Sequence, residues 1–218
     1  MPRIDGRETV LDTTFVTHIS LAVVLVDSYT NAQAIGRVRV LLKELSQEGR
    51  LNPSGYFVFL NLHDGLYTVR VESEHYLDEE AMLSVPASPP EYPVVTIFLH
   101  PRPSYPFPPG ATLIRGLVRD AVDQPVADAR VDIVGRNIAN HSVHNGEFVL
   151  SFGALREQDV IRVNRKTLVK GNGDQHELTS PPTPPTLITV RATHPSYGTV
   201  TTTTEVQEGT TAFVRLVY

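Results

Sequence analysis

An all-β protein of two tandem sandwiches joined by a proline-rich linker is the fold class this sequence predicts, and three observations carry it. Short runs of β-branched and aromatic residues recur along the chain with no long helical pattern between them. The 17 prolines disfavour long helices, because proline lacks the amide donor that a helix interior or a central strand needs. The second half of the chain also repeats the strand-and-turn order of the first. A length of 218 residues accommodates two units of about 100 residues each. With 41% apolar and 20% charged residues, the composition is that of a chain that buries a core.

Residues 18–26, HISLAVVLV, read as a buried strand, and 36–42, GRVRVLL, as a second, with Val38 and Val40 on one face and Arg37 and Arg39 on the other. A turn of helix is expected at 43–48. The turn at Pro53-Ser54-Gly55 leads into 56–60, YFVFL, and Asp64-Gly65 into 66–71, LYTVRV; two strands joined by so short a glycine-containing loop read as a hairpin. Residues 94–99, VVTIFL, close the first unit. The segment PRPSYPFPPG is stiff, extended and poor at packing, which marks 101–110 as the linker. Beyond it, strands are expected at 112–119, 129–134, 147–152, 160–163, 187–192 and 212–217. The boundaries are therefore an N-terminal arm at 1–17, a first sandwich at 18–100 and a second at 111–218, the latter carrying a long loop at 164–186.

Superposing the halves sets Asp27 against Asp120, Ile35 against Val126, Gly55 against Gly146 and Phe57 against Phe148. Both glycines stand between a polar turn and an aromatic strand, where a positive φ costs glycine least. Tyr56, Phe57, Phe59, Tyr67, Phe148 and Phe152 are the expected bulky core. On GLVRDAVDQPVADARVDIVG with NGEFVL in the second half, and SGYFVFLNLHDGLYTVRVESEHY in the first, the chain resembles the carboxypeptidase regulatory-like (transthyretin-like) family. The resemblance implies a seven-stranded Greek-key sandwich in each half and an accessory role. It implies no catalytic set, because the matching positions serve turns and packing.

Candidate chemistry is sparse. Among the eight histidines, His141 and His144 form the closest pair, weak candidates for a metal site, since a spacing of three on a strand puts them on opposite faces. No His-Glu-x-x-His, nucleophile elbow or phosphate-binding glycine loop is present. The C-terminal Arg215-Leu216-Val217-Tyr218 departs from the tetrapeptide of transthyretin-fold hydrolases. Tyr76, Tyr197, His75 and His194 are the residue types of an intradiol-dioxygenase iron site but sit in separate repeats. The expectation is thus no enzyme and no cofactor.

A net charge of −5 argues against nucleic acid, which is bound through clustered Lys and Arg. No 18 apolar residues run together as a membrane span, no signal-length apolar core opens the chain, and the compartment stays open. Without cysteine there are no disulfides or thiolate ligands.

An acidic patch (Glu72, Glu74, Asp78, Glu79, Glu80) and a basic one (Arg162, Arg165, Lys166, Lys170) could steer a partner or meet each other. The long loop, with Arg165, Lys166, Lys170 and His176, is the expected contact with a protein partner or neighbouring subunit, since connections of that length are functional or disordered. The leading expectation is an interaction or structural module of a larger assembly. The alternatives are an adhesive carbohydrate- or surface-binding module using Tyr29, Tyr76, Tyr105 and Tyr197, and a small hydrolase or metal oxygenase.

Overall fold

The computed structural model describes residues 18–86, 93–152 and 185–218, and among these the chain is all-β. The first half forms β1 (Ile19–Asp27), β2 (Val38–Leu42), β3 (Gln47–Glu48), β4 (Arg50–Leu51), β5 (Tyr56–Leu60), β6 (Gly65–Ser73), β7 (Glu79–Val85) and β8 (Val94–Leu99). They build two sheets, ordered β4-β5-β1-β8 and β3-β2-β6-β7. The second half forms β9 (Leu113–Arg119), β10 (Arg130–Ile133), β11 (Ala139–His141), β12 (Glu147–Ser151), β13 (Thr186–His194), β14 (Gly198–Val206) and β15 (Thr211–Val217). Their sheets are ordered β12-β9-β15 and β11-β10-β13-β14. In both halves the opening strand lies between an antiparallel neighbour and the closing strand, which runs parallel to it.

Period-two patterning explains the layering. Leu21, Val23 and Leu25 of β1 enter one core with Phe59, Val40, Leu42, Val69 and Val71. Ile114 and Val118 of β9 enter a second with Phe148, Leu150, Val131 and Val190. The internal alignment holds at the level of register: Phe57 is paired with Val23, and Phe148 with Gly116. Gly55 and Gly146 take φ of 84° and 78°, as their turn positions require. Gly116 has a different reason: a Cβ there would overlap the carbonyl of Val214 on β15 and lie 2.8 Å from the Phe148 ring.

Several expectations are corrected. Strands β5 and β6 are not a hairpin; they lie in different sheets, and the intervening loop, with Asn61 at a positive φ of 52°, carries the chain across the sandwich. The expected turn of helix at 43–48 is a tight connection from β2 into β3, with Ser46 at φ 49°. Tyr56 belongs to the outer face of its sheet, while Phe59, Tyr67 and Phe148 are buried as expected. The edge strands β7 and β14, and the short β3, β4 and β11, add to the expected set. The expected strand at 160–163 lies outside the described residues.

The proline-rich segment, expected to pack poorly, is held from both sides. Its start extends the first half's backbone pairing: the amide of Leu77 donates to His100 O (2.9 Å) and that of Arg102 to His75 O (2.8 Å). Tyr105 is buried in the first core, with Phe107 and Ala111 packed against it. From the other side, Asn140 Nδ2 donates to Pro101 O and to Val149 O, both at 2.9 Å. Arg115 Nη1 donates to Pro103 O at 2.6 Å, and its guanidinium lies 5.6 Å from the Phe107 ring centre. Leu113 and Val149, on the outer face of β12-β9-β15, are only 4% and 1% exposed, so the segment acts as a layer over that face.

Candidate functional site

Among the described residues the most deeply buried carboxylate is that of Asp27, fully inaccessible at the end of β1. It continues the inward parity of Leu21, Val23 and Leu25, so the carboxylate enters the core at its rim. Its Oδ1 accepts from the amides of Tyr29 (2.7 Å) and Thr30 (3.3 Å), closing the turn that leaves the strand. Its Oδ2 accepts from the phenols of Tyr76 (3.1 Å) and Tyr105 (2.5 Å). Tyr76 Oη accepts in turn from the Ile35 amide at 3.0 Å. A buried carboxylate is costly unless hydrogen-bonded, and four donors surround this one. The rings of Tyr29, Tyr105 and Phe107 pack edge-on or tilted about it, with centroids 4.6–5.9 Å apart.

Burial, and then the Asp27 charge, pushes the Tyr76 phenol up to about 12, and burial followed by the bond to Asp27 raises Tyr105 further. Tyr29 is raised for the same two reasons. These phenols are therefore protonated donors, unsuited to act as phenolate ligands or nucleophiles. Tyr76 and His75 do not join Tyr197 and His194 in a common site: Tyr197 stacks on Tyr218, ring centres 5.4 Å apart, and lies tilted against His194 at 5.1 Å. The equivalent of Asp27 in the repeat, Asp120, caps only its own turn, accepting from the amides of Val122 (2.9 Å) and Gln124 (2.8 Å).

The adhesive tyrosine platform is overturned at three of its four members: Tyr29, Tyr76 and Tyr105 are at most 5% exposed, and Tyr197 alone is at the surface. Burial follows from their role, since each is drawn in by the Asp27 carboxylate or the rings around it.

His141 and His144 line an open cleft of about 650 Å³ between 77–79 and 100–102 on one side and 128 and 139–144 on the other. The structure brings them beside His100, which sequence reasoning had not singled out. His100 Nδ1 lies 2.9 Å from Glu79 Oε1, and that hydrogen bond raises its pKa. Among the described residues, no three His, Asp or Glu side chains are arranged to hold a metal ion.

The acidic patch is paired within the first half and by the segment that follows it: Glu72 with Arg39 and Arg70, Glu74 beside His75, Asp78 with Arg70 and with Arg102 of the proline-rich segment, Glu79 with His100 and Glu80 with Lys43. The basic residues Arg162, Arg165, Lys166, Lys170 and His176 lie outside the described residues. No described helix is long and apolar enough to cross a membrane.

No family model matches this chain, and no curated protein matches it. Among solved structures it is similar to the Bacillus anthracis TIE protein (11% identity, TM-score 0.29), covering 91% of this chain and 34% of that one. It is also similar to a streptococcal ancillary pilin (14% identity, TM-score 0.26), covering 94% of this chain and 63% of that one. A third similarity is to the shaft pilin SpaA from Lactobacillus rhamnosus GG (9% identity, TM-score 0.28), covering 91% and 97%. The chain thus spans about a third of the first protein and less than two thirds of the second. At these TM-scores the likeness carries no argument, and function rests on the chain's own residues.

Proposed function

We propose that this chain is a non-catalytic structural or interaction module, an accessory component of a larger protein assembly or surface structure. It consists of two tandem sandwiches of the carboxypeptidase regulatory-like kind, at residues 18–100 and 111–218, with residues 101–110 as the joint; among the described residues the second has the seven strands expected of each half, whereas the first has eight, because its polar edge is split into the short β3 and β4. The recurrence of sheet order and register in the two halves supports the tandem reading.

The single observation that carries the role is the Asp27 cluster. The most buried carboxylate and two tyrosines, the residue types an active site would use, are committed to anchoring Tyr105 and with it the proline-rich segment. The same segment is gripped by Asn140 and Arg115 of the second half, so the polar interior serves to fix geometry.

Affinity capture with the tagged full chain from its native source, after mild cross-linking, tests the reading. Reproducible recovery of a specific protein partner is the expected outcome. Stoichiometric zinc or iron in untagged protein after dialysis would overturn the non-catalytic assignment.

A further inference from the structure

One backbone position is closed in the second half of the repeat and open in the first. In the second half β11 runs antiparallel to β10, setting Ala139 opposite Asp132, Asn140 opposite Val131 and His141 opposite Arg130, and the register carries on to Ser142 opposite Ala129. Ser142 is 1% exposed and makes four hydrogen bonds there. Its amide donates to Ala129 O (2.9 Å), and its carbonyl accepts from the Asp128 amide (2.9 Å). Its Oγ accepts from the Ala129 amide (3.0 Å) and donates to Val126 O (2.8 Å).

The first half begins the same register and abandons it. Gln47 pairs with Leu42 and Glu48 with Leu41, and the Gly49 amide donates to Val40 O at 2.8 Å, a register that would set Leu51 opposite Val38. Instead the chain crosses to the other sheet, where Arg50 pairs with Val58 and Leu51 with Phe57. Val38 precedes Val40 by two residues, as Ala129 precedes Val131, so its N–H and C=O point to the same side as those of Val40, where the strand has left. Among the described residues, no hydrogen bond outside the strand ladders reaches Val38. An open pocket of about 460 Å³ remains beside it, lined by Leu25, Val38, Phe57, Arg37, Gly49 and Leu51 among others. Phe57 is accordingly only partly buried, whereas its counterpart Phe148 is sealed in. Ala34 completes the correspondence: its amide donates to Leu25 O (3.2 Å) as that of Val126 does to Val118 O (3.0 Å), so Ala34 rather than Ile35 is the counterpart of Val126.

From this difference between duplicates we infer that the slot beside Val38 binds an extended, serine-bearing peptide segment of a partner protein, which adds to β2 as Ser142 adds to β10. The serine amide donates to Val38 O, and its hydroxyl accepts from the Val38 amide and donates to Ala34 O. Addition of a strand to a free edge draws its affinity from main-chain hydrogen bonds and its selectivity from the side chain in the pocket. Charge refines the partner further. Arg37 lines the slot, faces the residue that follows the serine, and has a guanidinium without a partner among the described residues. An acidic residue directly after the serine therefore completes the match. This deepens the assembly reading above and rests on it, by naming the surface and the chemistry of the partner.

NMR titration of the isotope-labelled full chain with a synthetic peptide of residues 138–144, IANHSVH, tests the inference. The expected result is a dissociation constant of about 1 mM or tighter, with amide shifts at 34–38 and 48–51. Replacing the peptide's serine by alanine should weaken binding about 10-fold, because both hydrogen bonds of the hydroxyl are lost. N-methylation of the serine should abolish binding, since the donor to Val38 O is gone. Glutamate in place of Val143 in the peptide should tighten binding about 3-fold, the scale of an exposed ion pair, and Arg37→Gln in the protein should remove that gain.

A peptide that leaves 34–38 and 48–51 unshifted at about 1 mM overturns the inference, as do serine, alanine and N-methyl forms that bind alike. Binding that emerges only when residues 1–17 are removed would assign the slot to the chain's own N-terminal segment and likewise overturn it. Capture of a specific partner from the native source, with the peptide failing to bind, would sink this inference while leaving the proposed function standing.

Discussion

Replacing Tyr105 by phenylalanine separates the hydrogen bond to Asp27 from everything else the residue does. The ring, 5% exposed and packed on Tyr29 and Phe107, stays; one of four donors to the carboxylate leaves. Hydrogen bonds to charged acceptors contribute about 1.5–3 kcal/mol, and the lost donor is a buried one, so Tyr105→Phe should cost about 2 kcal/mol. Tyr105→Ala removes the ring as well and should add about 3–5 kcal/mol for the cavity. Urea unfolding at constant slope is the assay, since an unchanged slope shows that stability and not compactness has moved. In a double-mutant cycle, Tyr105→Phe with Asp27→Asn should reveal a coupling of about 1 kcal/mol or more. A Tyr105→Phe variant within about 0.5 kcal/mol of wild type would refute the claim that this carboxylate anchors the proline-rich segment.

Phe148→Ala should destabilise the second core by about 3–5 kcal/mol while the first melts almost unchanged; a loss below about 1 kcal/mol would contradict its burial. Gly116→Ala should cost about 3 kcal/mol or be insoluble, because the added methyl meets backbone on β15; hydrogen exchange of the β9 and β15 amides would report their parting. His100 gives a pH signature. Its folded pKa is raised by Glu79 above the ordinary 6.5, so its contribution is complete below that value and fades as pH rises through the folded pKa. The stability difference between wild type and His100→Gln should therefore be larger at about pH 5.5 than at about pH 8.5, and modest, because the side chain is 47% exposed.

What the sequence made legible follows from burial. Strands with one face in a core, such as Tyr56–Leu60 and Val94–Leu99, carry their period-two signal and were found to the residue. Edge strands did not: β7 has a polar outer face and reads as an acidic patch with a few apolar residues, and β14 reads as a run of threonines. The placement of β5 and β6 in separate sheets was hidden because a short loop is compatible with either a hairpin or an arch. Asp27 could have been located, since it shares the parity of Val23 and Leu25, and an acid on a core-facing position demands buried donors. Tyr105 could not, because no local periodicity reports on a residue in a proline-rich run whose partner lies 78 positions away.

The parallel pairing of the opening and closing strand in each half has a mechanical consequence. Because β1 and β8 run the same way, the chain enters at one end of the sheet and leaves at the other, as it does through β9 and β15. Tension applied along the polypeptide then pulls these two neighbours in opposite directions along their length. Their interstrand hydrogen bonds lie across the load and resist it together, in shear, where an antiparallel pair loaded at one end would unzip bond by bond. Under end-to-end tension, each half would therefore be loaded in shear across its opening and closing strands.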